Sequence, residues 1–282
     1  MPYALILNTA SKANLTGGAF ADSLTANSGD SLAVVNYDSG GARILEAWGI
    51  DSDSVMEAEW IFTRPETSHD QQHGIRFNIP ALVPGGAASI GAHNILPGYA
   101  QIPVFKSDAA TITVSGTAAD DVVMSWLTEY DDVPGVSAQF ATWASVQSMR
   151  KSNVGVYCNA VASATPGAYG ASRAINADDD RFHGNTYYAI LGYTVQTQVT
   201  TISLIGPPWG GQRIGGPAGV GTLDNTWFFV DMAQKYNKAL IPVFNSNDKQ
   251  NILVQVADGE ASTAPKVDFH LMELTGNPAG GQ

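Results

Sequence analysis

Metal, nucleophile and phosphate chemistry each need particular residues at particular spacings, and the chain offers fragments of several such patterns. It has five histidines: His69, His73, His93, His183 and His270. A metal-dependent β-barrel enzyme would need a His-x-His pair with a downstream Glu and a later His. No His-x-His occurs. His69 and His73 lie four apart in the polar run Glu66–Gly74, which reads as a solvated loop. His270 alternates with Phe269 and Leu271, which predicts a surface or sheet-edge role in a strand. Cys158 sits in an alternating run with no histidine near it in sequence, so it reads as a buried thiol rather than a nucleophile. As the single cysteine it also excludes an intramolecular disulfide framework and a zinc site built on several thiolates.

Acidic and glycine-rich stretches offer further fragments of such patterns. Asp178-Asp179-Asp180 and Tyr130-Asp131-Asp132 could present oxygens to Ca²⁺, but neither has Asp-x-Asp-x-Asp-Gly spacing, and Asp51-x-Asp53 lacks the rest of that loop. Solvated turns are expected there. Gly210–Gly219 lacks the Gly-Lys-Ser/Thr ending and the βαβ context of a phosphate loop, so an irregular loop with a hidden strand is expected. No Gly-x-Ser-x-Gly elbow is present. Glu57 and Glu59 share one strand face, a geometry that needs no catalytic explanation. The site expectation is therefore no catalytic residue, no cofactor and no metal. Most of the six tryptophans fall in predicted strands or helices and read as core. Trp209, between Pro208 and Gly210, is the exception. It is expected to be an exposed aromatic that stacks on a sugar or anchors a subunit contact.

Composition narrows the function class. The 282 residues carry 26 Asp+Glu against 14 Lys+Arg, a formal charge of −12, with 44% hydrophobic residues. That is enough apolar content for a real core. The acidic balance argues against direct packing on nucleic acid, where phosphate neutralisation needs cations. No run reaches the ~20 apolar residues that span a membrane, and the start lacks a basic n-region and a long apolar segment, so neither a transmembrane helix nor an export signal is expected.

The elements that would position any site are mostly strands. In the first half, strand-like runs fall at Leu5–Asn8, Leu32–Asn36, Arg43–Ile50, Val55–Arg64, Gly74–Leu82, Gln101–Phe105, Thr111–Gly116 and Asp121–Tyr130. In the second they fall at Val154–Val161, Ser172–Asn176, Tyr187–Val195, Thr200–Ile205, Ala239–Phe244, Asn251–Ala257 and Lys266–Leu274, with one more inside Gly210–Gly221. Two segments read as helix. Ser137–Lys151 has Ser137 as N-cap and Arg150-Lys151 in the last turn, and Thr226–Asn237 follows Asp224-Asn225. A weaker helical stretch covers Ala92–Ala100.

A self-match organises these runs. Ile102-Pro103-Val104-Phe105 is repeated as Ile241-Pro242-Val243-Phe244, 139 positions on. Gly49 and Gly192 are 143 apart, Pro65 and Pro207 are 142, Val122 and Val267 are 145, and Glu129 and Glu273 are 144, all near half the chain. The expectation is an all-β protein of two tandem eight-stranded jelly-roll sandwiches with short helices in the connector and before the seventh strand. The units are expected over 1–134 and 153–282, with a helical connector over 135–152.

With its paired eight-stranded units, central connector and repeated Ile-Pro-Val-Phe strand, the chain resembles the double jelly-roll major capsid proteins. These occur in tailless, membrane-containing bacteriophages and adenovirus-type viruses. The resemblance implies a homotrimer whose six rolls form a near-hexagonal capsomer, self-association with neighbouring capsomers, contact with other virion proteins and an internal membrane, and assembly in the host cytoplasm into an icosahedral virion. It implies no enzymatic activity and no direct nucleic-acid contact. The segment Met1–Asp30 is a candidate to reach a neighbour or a membrane. Two other classes fit tandem sandwiches: a phage spike or carbohydrate-binding pair of sandwiches, and a two-domain glycan hydrolase, which would require facing carboxylates at the junction.

Overall fold

A computed structural model describes residues 4–32, 42–51, 56–64, 71–79, 102–104, 109–130, 139–165, 167–195, 199–218, 225–257 and 265–280. The strands of the first half are β1 (Ala4–Lys12), β2 (Gly18–Ser23), β3 (Thr25–Ala26), β4 (Ala42–Asp51), β5 (Met56–Arg64), β6 (Gln71–Ile79), β7 (Ile102–Val104), β8 (Ala109–Gly116) and β9 (Val122–Tyr130). Those of the second are β10 (Phe140–Ala141), β11 (Arg150–Asn159), β12 (Arg173–Ala174), β13 (Tyr187–Val195), β14 (Thr201–Ile205), β15 (Arg213–Pro217), β16 (Ile241–Asn245), β17 (Leu253–Ala257) and β18 (Lys266–Leu274). Helix α1 spans Trp143–Ser148 and α2 spans Phe228–Tyr236.

The protein is all-β in class, built on four antiparallel sheets. Their orders are β3-β1-β9-β4-β7 and β2-β8-β5-β6 in the first half, and β10-β16-β13-β18-β11 and β12-β17-β14-β15 in the second. With the two-residue strands β3 and β10 set aside, each half has eight strands in the same arrangement: first-eighth-third-sixth in one sheet, second-seventh-fourth-fifth in the other. Among the described residues no sheet mixes strands from the two halves.

The repeat is therefore real at the level of strands, but the residue matches are not all in phase. Met124, Trp126 and Tyr130 of β9 pack with Trp60 and Phe62 in the first sandwich, whereas Leu127 faces the other way into the core that the second half organises. Glu129 has Leu127's parity. Glu273 instead has the parity of Phe269, whose ring meets Tyr193 inside the second sandwich. The matched glutamates thus lie on opposite faces of equivalent strands, because a slip of one residue reverses a strand's facing.

Several local expectations change. Residues 33–36 of the expected Leu32–Asn36 strand lie outside the described residues. The second strand of the first half is instead β2, a small-residue edge strand whose Gly, Ala, Asp and Ser content hides it from a hydrophobic pattern. The connector is not one helix from a Ser137 cap. Phe140–Ala141 pairs with β16, Thr142 caps α1 by accepting from Ser145 N at 3.2 Å, and Arg150-Lys151 begin β11 instead of ending a helix. The hidden strand in the glycine-rich stretch is β15. Within the candidate contact segment Met1–Asp30, residues 4–10 of β1 are buried and paired along β9.

Candidate functional site

The seam between the halves is where this fold concentrates its buried polar groups. It begins with the face of β1, β9 and β4 that turns away from the first sandwich. Register sets its rows: Leu5, Glu129 and Arg43; Leu7, Leu127 and Glu46; Thr9, Ser125 and Trp48. Since every residue of β9 is buried, the sheet is covered on both sides. The second half supplies the cover. Leu5, Leu7, Leu45, Trp48 and Leu127 join its hydrophobic core, and the Trp48 ring lies 5.9 Å from Phe228.

Helix α2 places the cations. Its apolar side, with Phe229, Val230, Met232 and Ala233, is buried in the second half, and from its last turn Lys235 and Tyr236 reach the first half. Lys235 Nζ donates to Glu46 Oε1, and Tyr236 OH lies 2.7 Å from the same oxygen. Tyr236 OH also sits 2.8 Å from the Leu45 carbonyl. The register of β4 shifts between Ile44 and Glu46, which leaves Leu45 out of the ladder and its carbonyl in need of another donor. Asn237 ends α2 in the left-handed conformation, at φ 51°, and turns the chain so that Lys238 donates to both oxygens of Glu129.

A second group lies further along the seam. The Asp30 carboxylate, 1% exposed, accepts from Arg213 Nη1 of β15 and from Thr9 N at 2.9 Å. Burial pushes Asp30 up to about 6 even though the Arg213 charge pulls the other way. The Arg213 guanidinium stacks 4.1 Å over the Tyr169 ring and donates to Gln255 Oε1 at 3.2 Å. Hydroxyls then run as a ladder: Tyr169 OH to Thr9 Oγ1 at 2.7 Å, Thr9 to Ser125 at 2.9 Å, Ser125 to Thr201 Oγ1 at 2.6 Å. Gly167 closes the approach. Its φ of +75° and its position, where a Cβ would meet Ser11 Cβ at 2.3 Å, both require glycine.

The sequence-singled residues fall elsewhere. Trp209 is not the exposed aromatic expected of it: it is 1% exposed, so its ring is core and not a surface contact or a sugar platform. Pro207–Trp209 forms a 3-10 turn ended by left-handed Gly210, which swings the ring inward onto Gly206. A side chain at Gly206 would meet the indole at 3.2 Å. The exposed indole is Trp227, 43% accessible at the start of α2. Asp178, Asp179 and Asp180 pair with Arg173, Arg181 and Lys249 respectively. Cys158 is buried and its thiol is pushed up to about 11, first by burial and then by Asp178. Glu59 pairs with Arg76. His69, His93, Asp53, Asp131 and Asp132 lie outside the described residues. Among the described residues no three His, Cys, Asp or Glu gather as a metal cluster.

Sequence reasoning missed the seam residues because their partners lie 76 to 191 positions away. The one local signal was β9, apolar on both faces where a half-buried strand would alternate. The hydrolase alternative asked for facing carboxylates at this junction. The carboxylates described at the seam, Asp30, Glu46 and Glu129, all come from the first half, and each faces a cation of the second half.

Fold and seam together define an all-β protein of two like-ordered sheet pairs joined by a buried polar interface. No family model matches the chain, and no curated protein matches it. A chain of the T=1 Penaeus vannamei nodavirus, solved by cryo-EM, is similar over 98% of this chain and 100% of its own, at 11% identity and a TM-score of 0.20. A likeness that slight assigns neither fold nor function.

Proposed function

We propose that the chain is a structural coat protein of a virion, with each half a jelly roll and the two halves acting as one rigid tile. The observation that carries this reading is the seam. Two copies of one strand order are fixed to each other through paired charges and a shared core, which suits a building block and leaves little freedom for hinge motion. In this reading three chains form a pseudo-hexagonal capsomer of six rolls, and capsomers tile an icosahedral shell in contact with other virion proteins and an internal membrane. The acidic balance fits a shell that leaves the genome to other components. The role is structural and needs no cofactor.

Light scattering on the purified full chain, followed by electron microscopy, tests the proposal. The expected result is a trimer mass that gives way to closed particles as concentration or ionic strength rises. A monomer at every concentration, with no particles, would overturn it.

A further inference from the structure

Trp227 stands apart from the buried tryptophans of this protein, and it stands beside a pocket. A recess of about 200 Å³ opens on the outer face of β11, β18 and β13, with Trp227, Asn153, Gly155, Thr226 and His270 around it. Register explains its floor. Gly155 of β11 and Gly192 of β13 flank His270 of β18 in one row, so two of three side chains are missing from that row. The backbone of Asn225 and Thr226 fills the space over Gly192, where a Cβ would meet Asn225 O at 2.1 Å. Over Gly155 the space stays open: a Cβ there would meet only Phe269 O, at 4.0 Å.

The indole is held ready. Trp143 meets Trp227 edge to face at 5.5 Å and 88°, and the Trp227 carbonyl accepts from Asp231 N at 2.8 Å in the first turn of α2. Little ordering would remain to be done on binding. The lining also defines the ligand class. It holds one amide, one hydroxyl, one imidazole and one indole, but no Lys, Arg, Asp or Glu, so nothing there recognises a phosphate, a carboxylate or an ammonium group. An apolar ring face beside neutral hydrogen-bonding groups matches a sugar ring, whose C–H face packs on indole while its hydroxyls reach the polar rim. The volume is below that of drug-sized sites and suits a single ring.

We propose that this recess binds one residue of a neutral saccharide, with Trp227 as the platform and Asn153, Thr226 and His270 as hydroxyl partners. The inference stands apart from the coat-protein reading, since either can fail without the other. The test is binding of the full chain to an array of neutral mono- and disaccharides, followed by titration of the best sugar against intrinsic tryptophan fluorescence. Wild type should bind and quench. Trp227→Ala should weaken binding by tenfold or more. Gly155→Leu, which adds a side chain into open space, should abolish binding with an unchanged melting temperature. No neutral sugar bound at millimolar concentration would overturn the proposal, as would affinity that both variants leave unchanged. Self-association lost in Trp227→Ala, with no sugar binding by wild type, would also overturn it, and would give the face to a second copy.

Discussion

With β3 and β10 set aside, the two larger sheets share one strand order but present contrasting outer faces. In the first half that face carries Leu5, Leu7, Leu127 and Trp48, and the second half covers it. In the second half Met272 and Leu274 cover one end of the corresponding face, and the rest carries Tyr157, Asn159, Thr194, Lys266, Asp268 and His270, all half-buried at most. There Lys266 pairs with Asp268 at 2.9 Å and lies 4.6 Å from the Tyr157 ring centre. The difference teaches that a duplicated sandwich becomes one body only where a face has been made apolar enough to repay the loss of its water. The carboxylates follow the same division. Glu129 and Glu46 find cations across the seam, whereas Glu273 finds Lys151, Ser152 and His183 within its own half.

The hardest way to break this contrast is to charge the covered face. Leu127→Asp should cost on the order of 4 kcal/mol or more, since it buries an unpaired carboxylate. His270→Asp on the open face should change stability by no more than about 0.5 kcal/mol. Chemical denaturation of both variants measures the two costs side by side.

Removing one partner of each glutamate comes next. Lys238→Met strands Glu129 in the seam and should cost about 3–5 kcal/mol, with much of that recovered by adding Glu129→Leu. Lys151→Met should cost about 1 kcal/mol or less, because Lys151 is 54% exposed and Glu273 keeps two other partners. Equal losses in the two variants would abolish the distinction drawn between the sites.

Acid titration sharpens it further. Asp30 is raised from its ordinary 3.8 to about 6, so the folded state holds this proton more tightly than the unfolded chain. Its contribution therefore favours folding below about 4 and fades as pH rises through 6. Glu273 is lowered from 4.5 to about 2, first by the Lys151 hydrogen bond and then by Ser152. Its contribution is present above about 4.5 and is lost as pH falls toward 2. In unfolding free energies measured from pH 2 to 7, Asp30→Asn should flatten the decline between 4 and 6, and Glu273→Gln should flatten the loss below 4.5. The smallest effect belongs to the hydroxyl ladder, where Ser125→Ala should cost about 1 kcal/mol in the same assay.

Much of the fold was legible. The boundaries of β13 and β18 follow directly from their apolar runs, and α2 is shorter than its pattern by only a few residues. The failures have particular causes. The connector's Phe140, Trp143 and Val146 suggest a long helix, but strand pairing with β16 takes Phe140 and Ala141, and pairing with β18 takes Arg150 onward. Trp209 reads as exposed between Pro and Gly, yet a 3-10 turn directs it inward. Trp227 reads as core but caps a helix whose apolar side begins one residue later.

Sequence alone determined the β class, the two-fold repetition of strands and the lack of familiar catalytic motifs, because alternation, turn residues and motif spacing are all local. The tertiary structure decided which face of each strand meets which core, since a single-residue shift that barely changes a sequence match reverses a strand's facing. It also decided the pairing of Asp30 with Arg213, Glu46 with Lys235 and Glu129 with Lys238. Each partner is an ordinary charged residue in its own segment, and only the docking of the halves shields the carboxylates from water and brings their cations to them.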